Sequence, residues 1–439
     1  MKVFEPKILT SFKGYKPKNF VSDIVAGIIV AIIALPLSIA LSIASGATPE
    51  VGLYTAIIAG FFIAMFGGSK VNISGPTAAF ATIVAGIIAT DGMEGLFIAT
   101  IMAGAILIIM GLCRVGSLIK YIPKAITVGF TGGIAVTLVI GQLKDFMGLT
   151  YPAGITAIET VEKLKLVFEN ISTINPWALL VGGIGLIILI LWPKISKKIP
   201  GSLIAVLVGA LLALISFINV NTIGSLYTIS SALPTFSLPA ITGEKLVAML
   251  PSAVTIALLA GIESLLSCVV SDGMVGDKHN SNTELIAQGI GNVMVGFFGG
   301  IPATGAIART AANVRNGGRS PLSGMVHAIV LLLVLVVLMP YASMIPMPII
   351  AGILFVVAYN MSEWRAFVKI IKTKAWADIL VLVLTFALTV IFDLVKAIAV
   401  GMVVHYAIVL IKFLIEKKKA KTATVFLENE KENKEKESA

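Results

Sequence analysis

Two charged side chains stand inside apolar stretches of the sequence and are the first candidates for chemistry. Arg309 lies in FGGIPATGAIARTAANVRNGG, from Phe298 to Gly318, between two long apolar runs. Glu263 is the only charged residue from Leu246 to Ser271. Charged groups in such surroundings are costly, and they mark ion or substrate pathways. We therefore expect both residues to act on an ion.

Glycine and proline interrupt two apolar segments just ahead of short helical stretches. Gly75 and Pro76 precede one stretch and Gly305 precedes the other, so each predicts a half-helix that begins inside the membrane. The first turn of a helix has N–H groups without acceptors and carries the positive end of the helix dipole. Two such ends form an anion site, to which Arg309 adds a fixed positive charge. The same segments also supply hydroxyl donors, Thr77 and Thr310.

Both features have a simpler interpretation. The glycines and the proline would then serve only close helix packing, and Arg309 would pair with a carboxylate or reach an interface. The presence of the same arrangement in two places favours the anion site.

Glu263 has several chemical options. Ser267 lies four residues further on, which places it on the same face of a helix. The carboxylate can carry a proton, ligate a sodium ion with the Ser267 hydroxyl, or pair with Arg309. We expect a coupling-ion role and prefer the proton, because the sequence shows no clear cage of oxygen ligands. Apart from this sodium option, no metal site is predicted.

The composition excludes an ordinary soluble protein. Hydrophobic residues make up 57% and charged residues 13% of 439 residues, against about 45–50% and about 25% in soluble domains. The net charge of +10 is interpreted as the basic excess of cytoplasmic loops rather than as a nucleic-acid surface. No phosphate-binding loop, catalytic triad or metal-ligand spacing is found, so we expect neither an enzyme nor a cofactor.

The apolar runs predict an all-α polytopic membrane protein with fourteen transmembrane segments. The predicted spans are 20–44, 51–67, 76–90, 94–113, 125–142, 177–193, 202–218, 246–271, 284–298, 304–314, 321–340, 345–361, 376–392 and 395–414.

Basic residues predict the orientation of these spans. With the N-terminus inside, every loop that follows an even-numbered span is cytoplasmic and carries Lys or Arg. We therefore expect a cell inner (plasma) membrane protein with both termini in the cytoplasm. The basic residues in these loops include Lys70, Arg114, Lys120, Lys124, Lys194, Lys197, Lys198, Lys278, Arg315, Arg319, Arg365, Lys369, Lys372 and Lys374.

The sequence contains an internal repeat. IAGFFIAMFGG (Ile58–Gly68) and IGNVMVGFFGG (Ile290–Gly300) each end in Phe-Gly-Gly and precede an interrupted span. Two halves of seven spans follow, and an odd number places the second half upside down in the membrane. A 7+7 inverted repeat with interrupted helices at matching positions is typical of secondary transporters.

At these positions the sequence resembles the SulP family of anion transporters. The resemblance lies in SGATPEVGLYTAIIAGFFIAMFGGSKVNISGPTAAFATIVAGI (Ser45–Ile87), in GIESLLSCVVSDG around Glu263, and in FGGIPATGAIARTAANVRNGGRSPLSG from Phe298. It covers about residues 15–414, with the motifs in the same order and spacing.

The resemblance implies a membrane transporter domain over 20–414 with a mobile core and a gate, which move in an elevator-like alternating-access mechanism. It places the core at 20–115 and 245–341 and the gate at 124–218 and 345–414, between a cytoplasmic segment 1–19 and a charged cytoplasmic tail 415–439. Family members usually carry a STAS domain after the last span; we expect none here, and a homodimer is left open.

The resemblance also assigns site residues. Glu263 matches the acidic position that the family uses for proton or sodium coupling, and Ser267 matches a hydroxyl that assists sodium. The predicted anion-binding residues lie on the third and tenth spans: Thr77, Ala78 and Ala79, facing Ala308, Arg309 and Thr310.

We therefore expect a secondary active transporter of inorganic anions, with sulfate first and proton-coupled symport. Its expected partners are the anion, a proton or sodium ion and the lipid bilayer, without nucleic acid. The alternatives are a sodium-coupled bicarbonate or dicarboxylate transporter of the same family, an uncoupled anion channel, a non-transporting scaffold, and a nucleobase permease of the same architecture. Arg309 argues against the permease, because an uncharged base needs carboxylate partners instead.

Overall fold

Apolar helices make up most of the protein. The structure, a computed structural model, describes residues 4–12, 15–117, 123–152, 157, 159–196, 199–373, 375–392, 397 and 399–415. Within these ranges, eight helices are long and apolar enough to cross a membrane, and three shorter apolar helices accompany them. This confirms the predicted all-α polytopic fold.

The elements follow one another along the chain with a single pair of very short strands in the described part. They are α1 (Ile8–Ser11), α2 (Pro17–Ala44), α3 (Pro49–Phe66), β1 (Ser74–Gly75), α4 (Ala81–Leu112), α5 (Lys124–Met147), α6 (Thr160–Glu169), α7 (Pro176–Ile195), α8 (Gly201–Ala213), α9 (Ile223–Leu226), α10 (Gly243–Val275), α11 (Ser281–Phe297), β2 (Thr304–Gly305), α12 (Ile307–Arg315), α13 (Leu322–Leu338), α14 (Met347–Met361), α15 (Trp364–Lys372), α16 (Trp376–Ile391) and α17 (Ala399–Ile415), with 3₁₀ turns at Ala78–Phe80, Ile171–Thr173 and Met339–Met344.

Each of the fourteen predicted spans overlaps a helix within the described residues. The third and fourth spans both fall in α4, which is interrupted at Gly92, where φ is 70°. Glycine adopts this left-handed conformation at little cost, so it separates the two spans without a loop. The tenth span consists of β2 followed by the short helix α12.

Local sequence signals set where the helices begin. Proline occupies the first turn of α2, α3 and α7, where its missing N–H costs nothing. The side chain of Asn175 caps α7 by accepting the N–H of Trp177 at 3.0 Å. Asn280 caps α11 in the same way. The segments between α3 and α4 and between α11 and α12 are interrupted instead by Gly75, Pro76 and Gly305.

The chain divides into two compact units, Met1–Tyr121 with Ile134–Ser362, and Ile122–Gly133 with Glu363–Ala439. The first contains a large apolar cluster contributed mainly by α2, α3, α13 and α14. In the second, the start of α5 packs on α15, α16 and α17. The predicted core and gate divide the chain at other positions and stay a prediction.

Several sequence-based expectations concern residues outside the described ranges. They include most of the tail, 416–439, and the N-terminal residues 1–3, 13 and 14. The orientation of the termini stays a prediction. The loop lysines that lie outside the described ranges are Lys120, Lys197, Lys198 and Lys374.

Candidate anion site

The two interrupted spans meet at a short antiparallel pairing of β1 with β2, which we call the crossing. Ser74 pairs with Gly305 and Gly75 pairs with Thr304, and the N–H of Ala306 donates to the carbonyl of Ile73 at 2.8 Å. Equivalent segments of the two sequence repeats are therefore in direct contact.

A helix begins on each side of the crossing without a side-chain cap. One starts as the 3₁₀ turn after Thr77 and continues into α4, and the other is α12, which starts after Ala306. Neither N-cap residue forms a side-chain hydrogen bond to its helix. The first-turn N–H groups of both helices thus remain available to an anion.

Arg309 lies in the first turn of α12 and is only 3% exposed. Its Nη2 donates to the carbonyl of Pro76 at 3.0 Å. Its Nη1 is buried and has no hydrogen-bond partner among the described residues. A side chain at Gly75 would place its Cβ 2.4 Å from Nη1, so the glycine leaves room for the guanidinium. A buried donor without a partner is expensive, and an anion beside it would satisfy it.

The predicted anion-binding residues occupy both sides of the crossing. Ala78 and Ala79 are buried, Thr77 is half-buried, and Ala308 is exposed. The Thr310 hydroxyl has other partners: it accepts from the N–H of Ile73 and donates to Asn72 Oδ1, both at 3.0 Å. The Thr310 hydroxyl therefore stabilises the crossing and is not a free donor for an anion.

Glu263 is half-buried on α10 and contacts the first half-helix directly. The Thr77 hydroxyl donates to its Oε2 at 2.9 Å. Within the described residues, the ion pairs do not include one between Glu263 and Arg309. Among the described residues, the alternative in which these two charges pair is therefore not what the structure shows, and each instead forms a hydrogen bond to a residue next to the crossing.

Ser267 is fully buried and does not share a partner with Glu263. Its hydroxyl lies 2.7 Å from Asn72 Oδ1 and 3.1 Å from Thr310 Oγ1. The spacing of four residues puts both side chains on one face of α10. Glu263 nevertheless contacts Thr77, whereas Ser267 contacts Asn72 and Thr310. The predicted sodium role of Ser267 stays a prediction.

A buried carboxylate, Glu284, was not anticipated from the sequence. Oε1 accepts from Asn72 Nδ2 at 2.7 Å, Ser264 Oγ at 2.9 Å and Gln288 Nε2 at 3.0 Å, while Oε2 accepts from the N–H of Gly68 at 2.9 Å. Four donors thus reach the two oxygens of this side chain. This polar network ties α10 and α11 to the segment that leads into β1.

The sequence did contain a signal for this network. Glu284, Gln288 and Asn292 follow one another at four-residue intervals in α11, so they share one helix face. Asn292 exchanges hydrogen bonds with the backbone of Ala303 at 2.9 Å, which fixes the approach to β2. At Gly305 an added Cβ would lie 2.7 Å from Asn72 Nδ2, so this close approach requires glycine.

Comparison with protein families matches residues 20–385 to the sulfate permease family. The chain belongs to the sulfate permease family. This membership confirms the predicted resemblance, and it confirms a multi-pass membrane transporter of anions rather than an enzyme.

Two relatives and one solved structure are similar to most of the chain. "Putative sulfate transporter YvdB" of Bacillus subtilis is 46% identical over 404 residues, covering 90% of this chain and 74% of that protein. The bicarbonate transporter BicA of Picosynechococcus sp. is 34% identical, covering 88% and 69%. The solved transmembrane domain of a cyanobacterium bicarbonate transporter BicA matches with a TM-score of 0.79 at 34% identity, covering 88% and 98%.

Proposed function

We propose that the chain is a secondary active transporter that carries inorganic anions, sulfate first, in symport with a proton by an elevator-like mechanism. The observation that carries the proposal is the buried Nη1 of Arg309, which has no hydrogen-bond partner in the described part of the chain and lies near two uncapped half-helix starts. The positive charge is fixed, the donors are preorganised, and the Arg309 side chain is removed from water. These are the properties that an oxyanion site needs.

The contact between Glu263 and Thr77 supports proton coupling. An ionised Glu263 puts a negative charge one hydrogen bond away from the start of the first half-helix. That charge opposes a nearby anion, and protonation removes the opposition. Anion binding and proton binding at Glu263 therefore favour each other, which is the linkage that symport requires.

Sodium-coupled bicarbonate transport is the second candidate. Two proteins named BicA, described as bicarbonate transporters, are each 34% identical to this chain. A sodium ion at Glu263 would remove the same negative charge. Against it stands the Ser267 hydroxyl, which is engaged with Asn72 and Thr310.

Uptake of radiolabelled sulfate into proteoliposomes tests the proposal. The unmodified protein should show uptake that an inward proton gradient stimulates, Glu263→Gln should lose the stimulation, and Arg309→Ala should lose uptake. Uptake of bicarbonate that depends on sodium, with no sulfate uptake, would favour the second candidate. Sulfate flux that no ion gradient stimulates would indicate an uncoupled channel.

A further inference from the structure

The short helix α15 connects two apolar helices and presents three different faces. Ala366, Phe367 and Ile370 pack against the apolar cluster of the second unit, and Phe367 contacts the Phe386 ring of α16 edge to face at 5.5 Å. These contacts fix the rotation of the helix about its axis. The other two faces therefore have a defined direction.

An exposed apolar stripe runs along one of these faces. Trp364, Val368 and Ile371 are 45%, 37% and 42% exposed, and their spacing of four and three residues puts them in one row. Large apolar side chains in a row on a short helix that also carries basic residues are typical of a helix that lies in the membrane interface.

A basic stripe runs directly beside the apolar stripe. Arg365, Lys369 and Lys372 are exposed and have the same spacing of four and three residues. The helix itself contains no acidic residue; the nearest, Glu363, precedes its first turn. The Arg365 guanidinium lies 5.5 Å from the Trp364 ring centroid. Three positive charges thus border the apolar stripe along its whole length.

A neighbouring contact places the same boundary on adjacent helices. Trp376, at the start of α16, is 62% exposed, and Lys412 near the end of α17 lies 5.9 Å from its ring centroid. Tryptophan and lysine together are typical of the layer between lipid tails and headgroups. The same pair of residue types marks the junction of α15 with α16.

The helix α6 provides a contrast within the same chain. It also exposes large apolar side chains, Val161 at 58% and Phe168 at 64%. Its lysines, however, are balanced by acids, and Lys165 pairs with Glu169 at 3.7 Å. Exposed apolar residues alone therefore do not give α6 a preference for anionic partners, whereas α15 combines them with three basic residues and no acidic residue within the helix.

From this juxtaposition we infer that α15 is a docking surface for anionic phospholipids, with Trp364, Val368 and Ile371 in the acyl boundary and Arg365, Lys369 and Lys372 on the headgroup phosphates. The inference is independent of the transported anion. Basic residues near an anionic membrane surface each contribute on the order of a fivefold preference.

Tryptophan quenching in the full-length protein tests this surface. Replacing Trp177, Trp192 and Trp376 by Phe leaves Trp364 as the single tryptophan. The protein is reconstituted in phosphatidylcholine bilayers that contain a small share of either brominated phosphatidylglycerol or brominated phosphatidylcholine. We expect the anionic quencher to be at least about threefold more effective at low salt, and the ratio to fall toward one near 1 M salt, where the screening length is about 3 Å.

Charge variants locate the preference. Arg365→Gln, Lys369→Gln and Lys372→Gln together should bring the ratio to about one, while Lys163→Gln with Lys165→Gln on α6 should leave it unchanged. A ratio near one in the single-tryptophan protein would overturn the inference, as would a high ratio that persists in the triple variant. If the triple variant does not fold, the salt dependence and the single change Lys369→Gln decide the same question.

Discussion

Arg309 and Glu263 both act on the first half-helix, through adjacent residues. Arg309 donates to the carbonyl of Pro76, and Glu263 accepts from the hydroxyl of Thr77. Both charges belong to the second sequence repeat, whereas both partners belong to the first. A change in the charge of Arg309 or Glu263 therefore acts directly on a residue at the start of the first half-helix.

Replacing Arg309 by Lys tests whether the shape of the guanidinium matters beyond its charge. Lysine has no planar fork, so one ammonium group cannot hold Pro76 and also present a second donor at the position of Nη1. Losing one hydrogen bond to a charged group costs about 1.5–3 kcal/mol, so the apparent KM for sulfate should rise by about tenfold or more. The matched control is Arg315→Lys at the exposed end of α12, and an unchanged KM in Arg309→Lys would contradict the prediction.

Asn72 and Glu284 can exchange their amide and carboxylate groups without a change in the number of non-hydrogen atoms. Glu284→Gln would replace one carboxylate oxygen by an N–H₂ group, which cannot accept hydrogen bonds, and would leave a weaker acceptor for the remaining donors. Asn72→Asp would place two carboxylate oxygens about 2.7 Å apart. Each single change should lower the thermal unfolding temperature by several degrees. The double variant restores one amide and one carboxylate, so it should recover at least half of the loss.

Thermal unfolding in detergent, followed by sulfate uptake, measures this exchange. Glu169→Gln on the surface of α6 serves as the control for loss of a carboxylate. A double variant that is less stable than both single variants would mean that Glu284 does not act through Asn72.

At the scale of elements, the two glycines of the crossing should respond differently to an added methyl group. At Gly75 the nearest atom is Arg309 Nη1 at 2.4 Å, the end of a long side chain that can shift. At Gly305 the neighbours are Asn72 Nδ2 at 2.7 Å and the backbone of Ser264 at 3.0 Å. Gly75→Ala should therefore weaken sulfate binding in a folded protein, whereas Gly305→Ala should lower stability as well.

Gly86 is the matched control for both substitutions, because it lies in α4 and has no atom within 4 Å of its added Cβ. Gly86→Ala should leave transport intact. Thermal unfolding and sulfate KM, measured on all three variants, separate the effects. Equal behaviour of Gly75→Ala and Gly86→Ala would show that the guanidinium does not need the space beside Gly75.

The elements could be predicted from the sequence because their signals are local. Apolar runs gave the spans, and Gly75, Pro76 and Gly305 gave the interruptions. The network around Glu284 could not be derived in the same way, because its members come from three separate segments that only the fold brings together. For the same reason, helical spacing grouped Ser267 with Glu263, while tertiary contacts assign Ser267 to Asn72.

At the scale of the whole molecule, the N-terminal segment connects the two sequence repeats. The N–H of Lys7 donates to the carbonyl of Gly67 at 2.9 Å, and the N–H of Glu5 donates to Thr283 Oγ1 at 2.9 Å. Asp277 accepts an ion pair from Lys70 at 2.9 Å and from Lys7 at 3.4 Å. The segment therefore lies across the ends of α3 and α10 and contacts both halves.

The Asp277 contacts give the attachment of this segment a defined pH dependence. Partial burial raises the pKa of Asp277, but the hydrogen bond from Lys70, the N–H of Lys278 and the charge of Lys7 outweigh it and leave the pKa below its ordinary value. A lowered pKa means that the carboxylate stabilises the folded state above the unfolded pKa of about 3.9. This contribution is lost as the pH falls through the lower, folded value.

A fluorescent label at Leu9→Cys in a Cys113→Ser background reports on this attachment, since Leu9 is 68% exposed and the other cysteine, Cys268, is buried. Anisotropy of the label should stay constant from about pH 8 to pH 5 and should fall only below the ordinary aspartate pKa of about 3.9, because the pKa of Asp277 is lowered. Asp277→Asn should lower the anisotropy already at pH 7, because the variant lacks the carboxylate that pairs with both Lys7 and Lys70. Glu169→Gln, which removes an exposed ion pair far along the chain, should leave the profile unchanged. If Asp277→Asn and the unmodified protein gave the same anisotropy at pH 7, the backbone contacts of Lys7 and Glu5 would be sufficient to hold the segment, and the ion pairs would have no part in its attachment.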